Sequence, residues 1–226
     1  MRLKDLQDAL AAYREQLQKK TFQEWVFLWE TQRIFQENWN LEATDLAAMF
    51  DRSLESTQTR RLWNRDNFYP KRMMLQFMRQ QQDFTRQMFE GLFREDKSIE
   101  GRASRFVLYC DELLEDHRER NPQEKVFAHY HDDGYQTVFL YLAMRWPELY
   151  TCYNFEAFKA TLKRIGAAEI PLTHDLERFV KVSRTLFQFM QKDPELLKAH
   201  QKRLDPARDY LAPSMLMVFE FMQSQL

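Results

Sequence analysis

The segment His129-Tyr130-His131-Asp132-Asp133 packs two imidazoles and two carboxylates into five residues, the donor types that hold a divalent ion. A third and fourth ligand would have to come from consecutive residues, which point in different directions. We therefore read the run as a helix-to-helix turn, in which Asp132 or Asp133 caps the helix after Gly134 and the histidines make ordinary hydrogen bonds. No metal and no cofactor are expected. Cys110 and His117 lie seven residues apart, so both face one side of a helix. That side is an apolar stripe, which makes them the edge of a core rather than ligands. The acidic run Asp111, Glu112, Glu115 and Asp116 falls on the opposite face and reads as solvated surface. Glu95-Asp96-Lys97 matches the tail of a restriction-type nuclease motif, but that motif needs a neighbouring strand and a preceding metal-binding Asp, and here it sits in a helix break. The four glycines are scattered and form no phosphate loop. Nucleophile elbow, zinc-protease helix and paired-cysteine zinc motifs are all missing, so the chain is not expected to be an enzyme.

Binding chemistry is best represented between Thr57 and Arg79. Arg60, Arg61, Arg65, Lys71, Arg72 and Arg79 stand there against Asp66 alone, a local charge of +5 in a chain of net −1. Trp63, Phe68 and Tyr69 are interleaved with them. Cationic side chains neutralise phosphates and aromatic rings stack on unpaired bases. Arg60, Arg61, Trp63, Arg65, Lys71 and Arg72 are thus the candidate DNA-binding residues. The competing reading is a loop whose rings dock on the core while its arginines are solvated or pair with acids elsewhere.

These residues must be positioned by helices. Leu3, Leu6, Leu10, Tyr13 and Leu17 recur at alternating three- and four-residue steps. Thr21 can cap a following helix in which Trp25, Leu28, Trp29 and Phe35 share one face and Val26, Phe27 and Ile34 add a second. A third helix is predicted over residues 44–53, a loop over 58–67, and a helix opened by Tyr69-Pro70 that carries Met73, Met74, Phe77 and Met78, a cluster that reads as core filler. Phe84, Met88, Leu92 and Phe93 continue the helical period; the polar stretch 94–98 breaks it. Ile99 to His117 forms one long stripe. Asn121-Pro122-Gln123-Glu124, Asp193-Pro194 and Asp205-Pro206 each read as a cap followed by proline at the first helical position. Tyr135 to Trp146, Asn154 to Gly166, His174 to Lys192 and an apolar stretch from Pro213 to Leu226 complete the set. With 4 Gly and 7 Pro in 226 residues, turn residues are too scarce for a sheet-rich fold. No apolar run approaches the ~18 residues a membrane span needs. Cys110 and Cys152 form no close-spaced motif, and without an export signal they read as reduced thiols in the cytoplasm.

Several segments carry a family likeness: Phe35-Gln36-Glu37-Asn38; Ala48-Met49-Phe50-Asp51-Arg52-Ser53-Leu54 followed by Leu62-Trp63; Asn67-Phe68-Tyr69-Pro70-Lys71; Tyr130-His131-Asp132-Asp133; and Tyr141-Leu142-Ala143-Met144-Arg145-Trp146-Pro147-Glu148-Leu149-Tyr150. From about residue 25 onward they resemble the helical amino-terminal region of McrB-like AAA+ proteins of bacterial McrBC-type restriction systems. The resemblance implies a target-reading domain, an AAA+ motor following in the same chain, and a separate nuclease subunit as partner. It carries over no catalytic residue, since the motor's nucleotide motifs are not in this sequence, and no target-reading residue, since such domains differ among relatives.

The sequence thus predicts an irregular, all-α, multi-helix domain, divisible into packed helical lobes at 1–95 and 96–226 or continuous across them, and cut from a longer chain. Its expected role is recognition of DNA in phage or foreign-DNA defence. The alternative is a helical protein-interaction adaptor that senses a phage or host protein.

Overall fold

The computed structural model of the chain describes residues 2–19, 21–63, 70–132 and 134–226, with Trp63 described by its backbone alone. Twelve α-helices and no strand occur among the described residues, so the all-α expectation holds. They are α1 (Leu3–Leu17), α2 (Phe27–Asn38), α3 (Leu46–Ser53), α4 (Thr59–Trp63), α5 (Pro70–Gln80), α6 (Gln82–Phe93), α7 (Ile99–Arg120), α8 (Gln136–Arg145), α9 (Phe155–Arg164), α10 (Leu176–Gln191), α11 (Pro194–Gln201) and α12 (Leu216–Gln223). No helix among the described residues is long and apolar enough to cross a membrane.

Two of the predicted helix starts hold, each a side chain bonding three residues ahead, while the like caps at Ser98 and Asp175 went unread. Asn154 accepts from the Ala157 N–H at 3.0 Å and Asp193 from that of Leu196 at 3.0 Å. Gly166 closes the turn after α9 in the left-handed region, φ +62°. Asp45 caps α3 through the Ala48 N–H at 2.9 Å, one residue inside the expected start. Three starts are corrected. Thr21 caps nothing, because α2 begins only at Phe27. No helix follows Asn121-Pro122: Asn121 ends α7 instead, its side-chain amide donating to the His117 carbonyl at 3.0 Å, and residues 121–132 are irregular. Asp205-Pro206 makes only a turn, Asp205 accepting from the Ala207 N–H. Inside the stretch read as a loop, α4 forms a five-residue helix, while residues 64–67 lie outside the described residues. Glu30, buried in α2, holds the approach to α4 by accepting from the Thr57 N–H (2.9 Å) and hydroxyl (2.6 Å).

Two helices are wrapped by the rest. All of α8 from Thr137 to Met144 is buried, and so is α12 from Leu216 to Met222. A helix apolar on every side can be stable only in the interior. α2 packs on α8 and α3, α3 on α5, α5 on α6 and α6 on α7; α1, α9, α10 and α11 surround α12 or each other. The buried apolar residues form one continuous cluster. The break at 94–98 separates α6 from α7, which pack together. Across it, Arg102 in α7 and Tyr150 both bond Glu95, at 2.9 and 2.8 Å.

His200 lies buried on α11 with its ring 4.8 Å from Trp29. Burial, and then the Arg203 charge, push its pKa down to about 3. The unfolded imidazole titrates near ~6.5, so at lower pH the unfolded chain takes up the proton first. The stabilisation is therefore complete above about pH 6.5 and is lost as pH falls from there toward 3. At pH 5 the linkage amounts to about 2 kcal/mol relative to neutral pH. The variant His200→Phe is expected to lose its stability less steeply between pH 7 and 5, as read by urea unfolding at several pH values. Parallel curves for the two proteins would refute the assignment.

Candidate functional site

The structure sorts the predicted DNA-binding residues into two groups. Arg61 is committed internally. Its guanidinium donates to the Glu24 carbonyl (2.7 Å) and the Gln58 side chain (3.0 Å) and lies 4.3 Å over the Phe27 ring, which docks α4 on α2. Lys71 is committed too: its ammonium pairs with the Asp51 carboxylate at 2.7 Å and donates to the Asp51 carbonyl at 3.0 Å, with only 13% of the side chain exposed. That pairing ties the first turn of α5 to α3. Arg60 and Arg72 are exposed, and neither has a carboxylate partner among the described residues. Arg79, seven residues beyond Arg72, is exposed on the same face of α5. Arg52, in the last turn of α3, is a further exposed cation that the charge count missed because it lies outside the dense run. Arg65 and the Trp63 side chain, with Phe68 and Tyr69, lie outside the described residues.

A second cluster was not legible as a unit. His129 and His131 are buried, from the irregular stretch 121–132, and Cys110 is buried in the middle of α7. One ligand atom of each lies within 4.8 Å of the others. His131 Nδ1 is 2.8 Å from the His129 carbonyl, which can only accept, so the proton is on Nδ1 and Nε2 keeps its lone pair toward the Tyr141 hydroxyl at 3.1 Å. His129 Nδ1 accepts the His131 backbone N–H at 3.0 Å, so its proton is on Nε2, 3.0 Å from Asp111 Oδ1. Burial, with His129 adding, pushes the His131 pKa down to about 3. Burial, with Asp111 and Asp132 adding, raises that of the Cys110 thiol. The expectation that Asp132 caps the next helix is corrected: Tyr135, at φ +61°, precedes α8, which has no side-chain cap. Asp133 lies outside the described residues. His117, seven residues along α7 from Cys110, is elsewhere, between Gln80 (2.8 Å) and Glu124 (3.3 Å).

Glu95 of the nuclease-like tripeptide has its carboxylate occupied by Arg102 and Tyr150, and Asp96 pairs with Arg94 at 2.6 Å. A cleft of about 450 Å³ opens beside Glu95, bordered by Lys97, Lys181 and Arg184. Four cations, Lys97, Arg102, Lys181 and Arg184, line it against the two carboxylates of Glu95 and Glu177, and that cationic excess disfavours a metal ion there. Comparison with protein-family models, with curated proteins and with solved structures finds no match for the chain.

Proposed function

We propose that the chain is a target-recognition module that contacts nucleic-acid backbone through the α3–α5 surface. One observation carries the reading: Arg52, Arg60, Arg72 and Arg79 are all exposed within 28 residues, while the neighbouring Asp51 is already neutralised by Lys71. Such a patch favours phosphate in a chain whose overall charge would otherwise repel it weakly. The sequence likeness to the amino-terminal region of McrB-like proteins supports reading such a module as one that precedes an AAA+ motor with a nuclease partner, and its target as DNA.

Because Arg61 holds α4 in place, charge reversal there would confound binding with folding. The informative variant is Arg60→Glu with Arg72→Glu, whose side chains have no internal acidic partner among the described residues. Its melting temperature is expected to stay within a few degrees of the parent. Its affinity for short duplex and single-stranded DNA, modified and unmodified, is expected to drop at least tenfold at low salt. The slope of log K against log salt should become shallower by about 1–2, as for the loss of one or two phosphate contacts. Equal affinity in parent and variant on every substrate would transfer the function to protein recognition.

A further inference from the structure

We propose that Cys110, His129 and His131 bind a borderline-soft divalent ion, zinc by the donor set, and that the ion ties the irregular stretch 121–132 to α7. The three residues come from two separate elements, which removes the geometric objection to a site built from consecutive residues. One ligand atom from each lies within 4.8 Å of the other two. Ligands of a tetrahedral zinc, with Zn–S of ~2.3 Å and Zn–N of ~2.0–2.1 Å, are separated by about 3.3–3.6 Å. Closing the gap takes about 1 Å of movement, in which the ion replaces the His131 N–H at His129 Nδ1 and the Tyr141 hydroxyl at His131 Nε2.

The groups behind the imidazoles are those that orient metal-bound histidines: a carboxylate, Asp111, on one ring and a backbone carbonyl on the other. Each fixes its ring in one neutral tautomer with one nitrogen free of a proton. Asp111 stands behind His129 Nε2, on the side of the ring away from the ion, so the fourth position falls to the Tyr141 hydroxyl, 3.1 Å from His131 Nε2, or to water.

A second observation is independent of those contacts. The connection turns two imidazoles inward, to 2% and 0% exposure, yet leaves Phe127, two residues earlier, 78% exposed. Apolar burial alone would do the reverse, since an imidazole is costlier to desolvate than a phenyl ring. Between the histidines, Tyr130 adopts φ +63°, a left-handed conformation that disfavours a bulky L-residue and persists only where its surroundings impose it. That bend sets the two rings side by side, centroids 5.5 Å apart, against the face of α7 that carries Cys110. On binding, the Cys110 thiol gives its proton to solvent and becomes the thiolate ligand; both imidazoles bind neutral.

The test uses the full chain expressed without a histidine tag, stripped with chelator, reloaded with zinc or cobalt(II) and freed of excess metal. Elemental analysis is expected to give about one zinc per chain. The cobalt form is expected to show a near-ultraviolet thiolate-to-cobalt absorption, and zinc to raise the melting temperature of the stripped protein. Cys110→Ser and His131→Gln should lose all three responses, whereas His117→Gln should keep them. If Cys110→Ser does not fold, Cys152→Ser leaves Cys110 as the sole thiol, and the cobalt band must survive in it. Unmodified protein that retains no zinc and gives no thiolate band, or a band lost with Cys152 instead, would overturn the site.

Discussion

Arg203→Ala is expected to destabilise the fold by about 3–5 kcal/mol at neutral pH, among the largest losses available from a single polar residue in this chain. Arg203 follows α11 and reaches Glu220 in α12 with two hydrogen bonds, 2.8 and 2.6 Å. The Arg203 side chain is 5% exposed and that of Glu220 fully buried. The Tyr13 hydroxyl of α1 donates to the same carboxylate at 2.8 Å, and burial together with that carboxylate raises the tyrosine pKa well above its usual value, so the phenol remains a donor. The guanidinium also lies 5.1 Å over the Phe22 ring. Removing Arg203 leaves a carboxylate inside the protein with one neutral donor, and that uncompensated charge dominates the cost. The pair itself need contribute little, because both ions are desolvated to form it. The double variant Arg203→Met with Glu220→Leu is therefore expected to recover most of the loss. Urea unfolding of parent, single and double variants reads the cycle. A single-variant loss below about 1 kcal/mol would mean that the Glu220 carboxylate reaches solvent in the native state.

What could be read in advance follows the range of the forces involved. Caps such as Asn154 and Asp193 act over three residues, so type and spacing specify them. The interior position of α12 follows equally well from composition, since Leu216-Met217-Val218-Phe219 leaves no polar face to turn outward. The candidate sites depend on partners distant in sequence. Nothing near Lys71 announces that its ammonium is consumed by Asp51, nor near Arg61 that its partner is the Glu24 carbonyl, so a count of charges overstates what the basic run can offer a phosphate. Cys110 and His131 each stand out by type, but only the irregular stretch 121–132 brings them together, and an irregular segment has no periodicity from which its path can be inferred. The error at Asn121-Pro122 has the same root: a cap-and-proline pair signals a helix only if an apolar period follows. Lys125-Val126-Phe127 supplies none, so the asparagine serves the helix before it.

Phe89→Ala is expected to cost about 3–5 kcal/mol, the range for emptying a closed aromatic site. The periodic residues of α6 give two overlapping faces, one through Phe84 and Met88 and one through Phe89, Leu92 and Phe93. Only the helices that pack on it decide which is innermost. The structure buries Phe89 fully and leaves Phe84 half-exposed. Phe89 meets Trp39 of the α2 C-terminus at 5.1 Å, Phe106 of α7 at 5.1 Å and Tyr141 of α8 at 5.2 Å, with Phe50 of α3 at 6.0 Å. One ring thus joins four other elements, mostly edge to face, the arrangement favoured by the ring quadrupoles. Its removal strands edges from every side, and because those edges belong to helices fixed elsewhere, the site cannot collapse to refill itself. Phe84→Ala, which removes a ring paired with Tyr109 at 5.2 Å near the surface, should cost well under half as much. Phe89→Leu keeps most of the volume and should lose about 1–2 kcal/mol. Denaturant midpoints with unchanged m-values would report these losses as stability alone. Equal costs for Phe84→Ala and Phe89→Ala would show that α6 presents its other face to the core. A cost for Phe89→Ala near that of Phe89→Leu would show that the surrounding rings close the gap. A cost in the predicted range would show that the junction Phe89 fills among α2, α3, α7 and α8 is closed and does not refill.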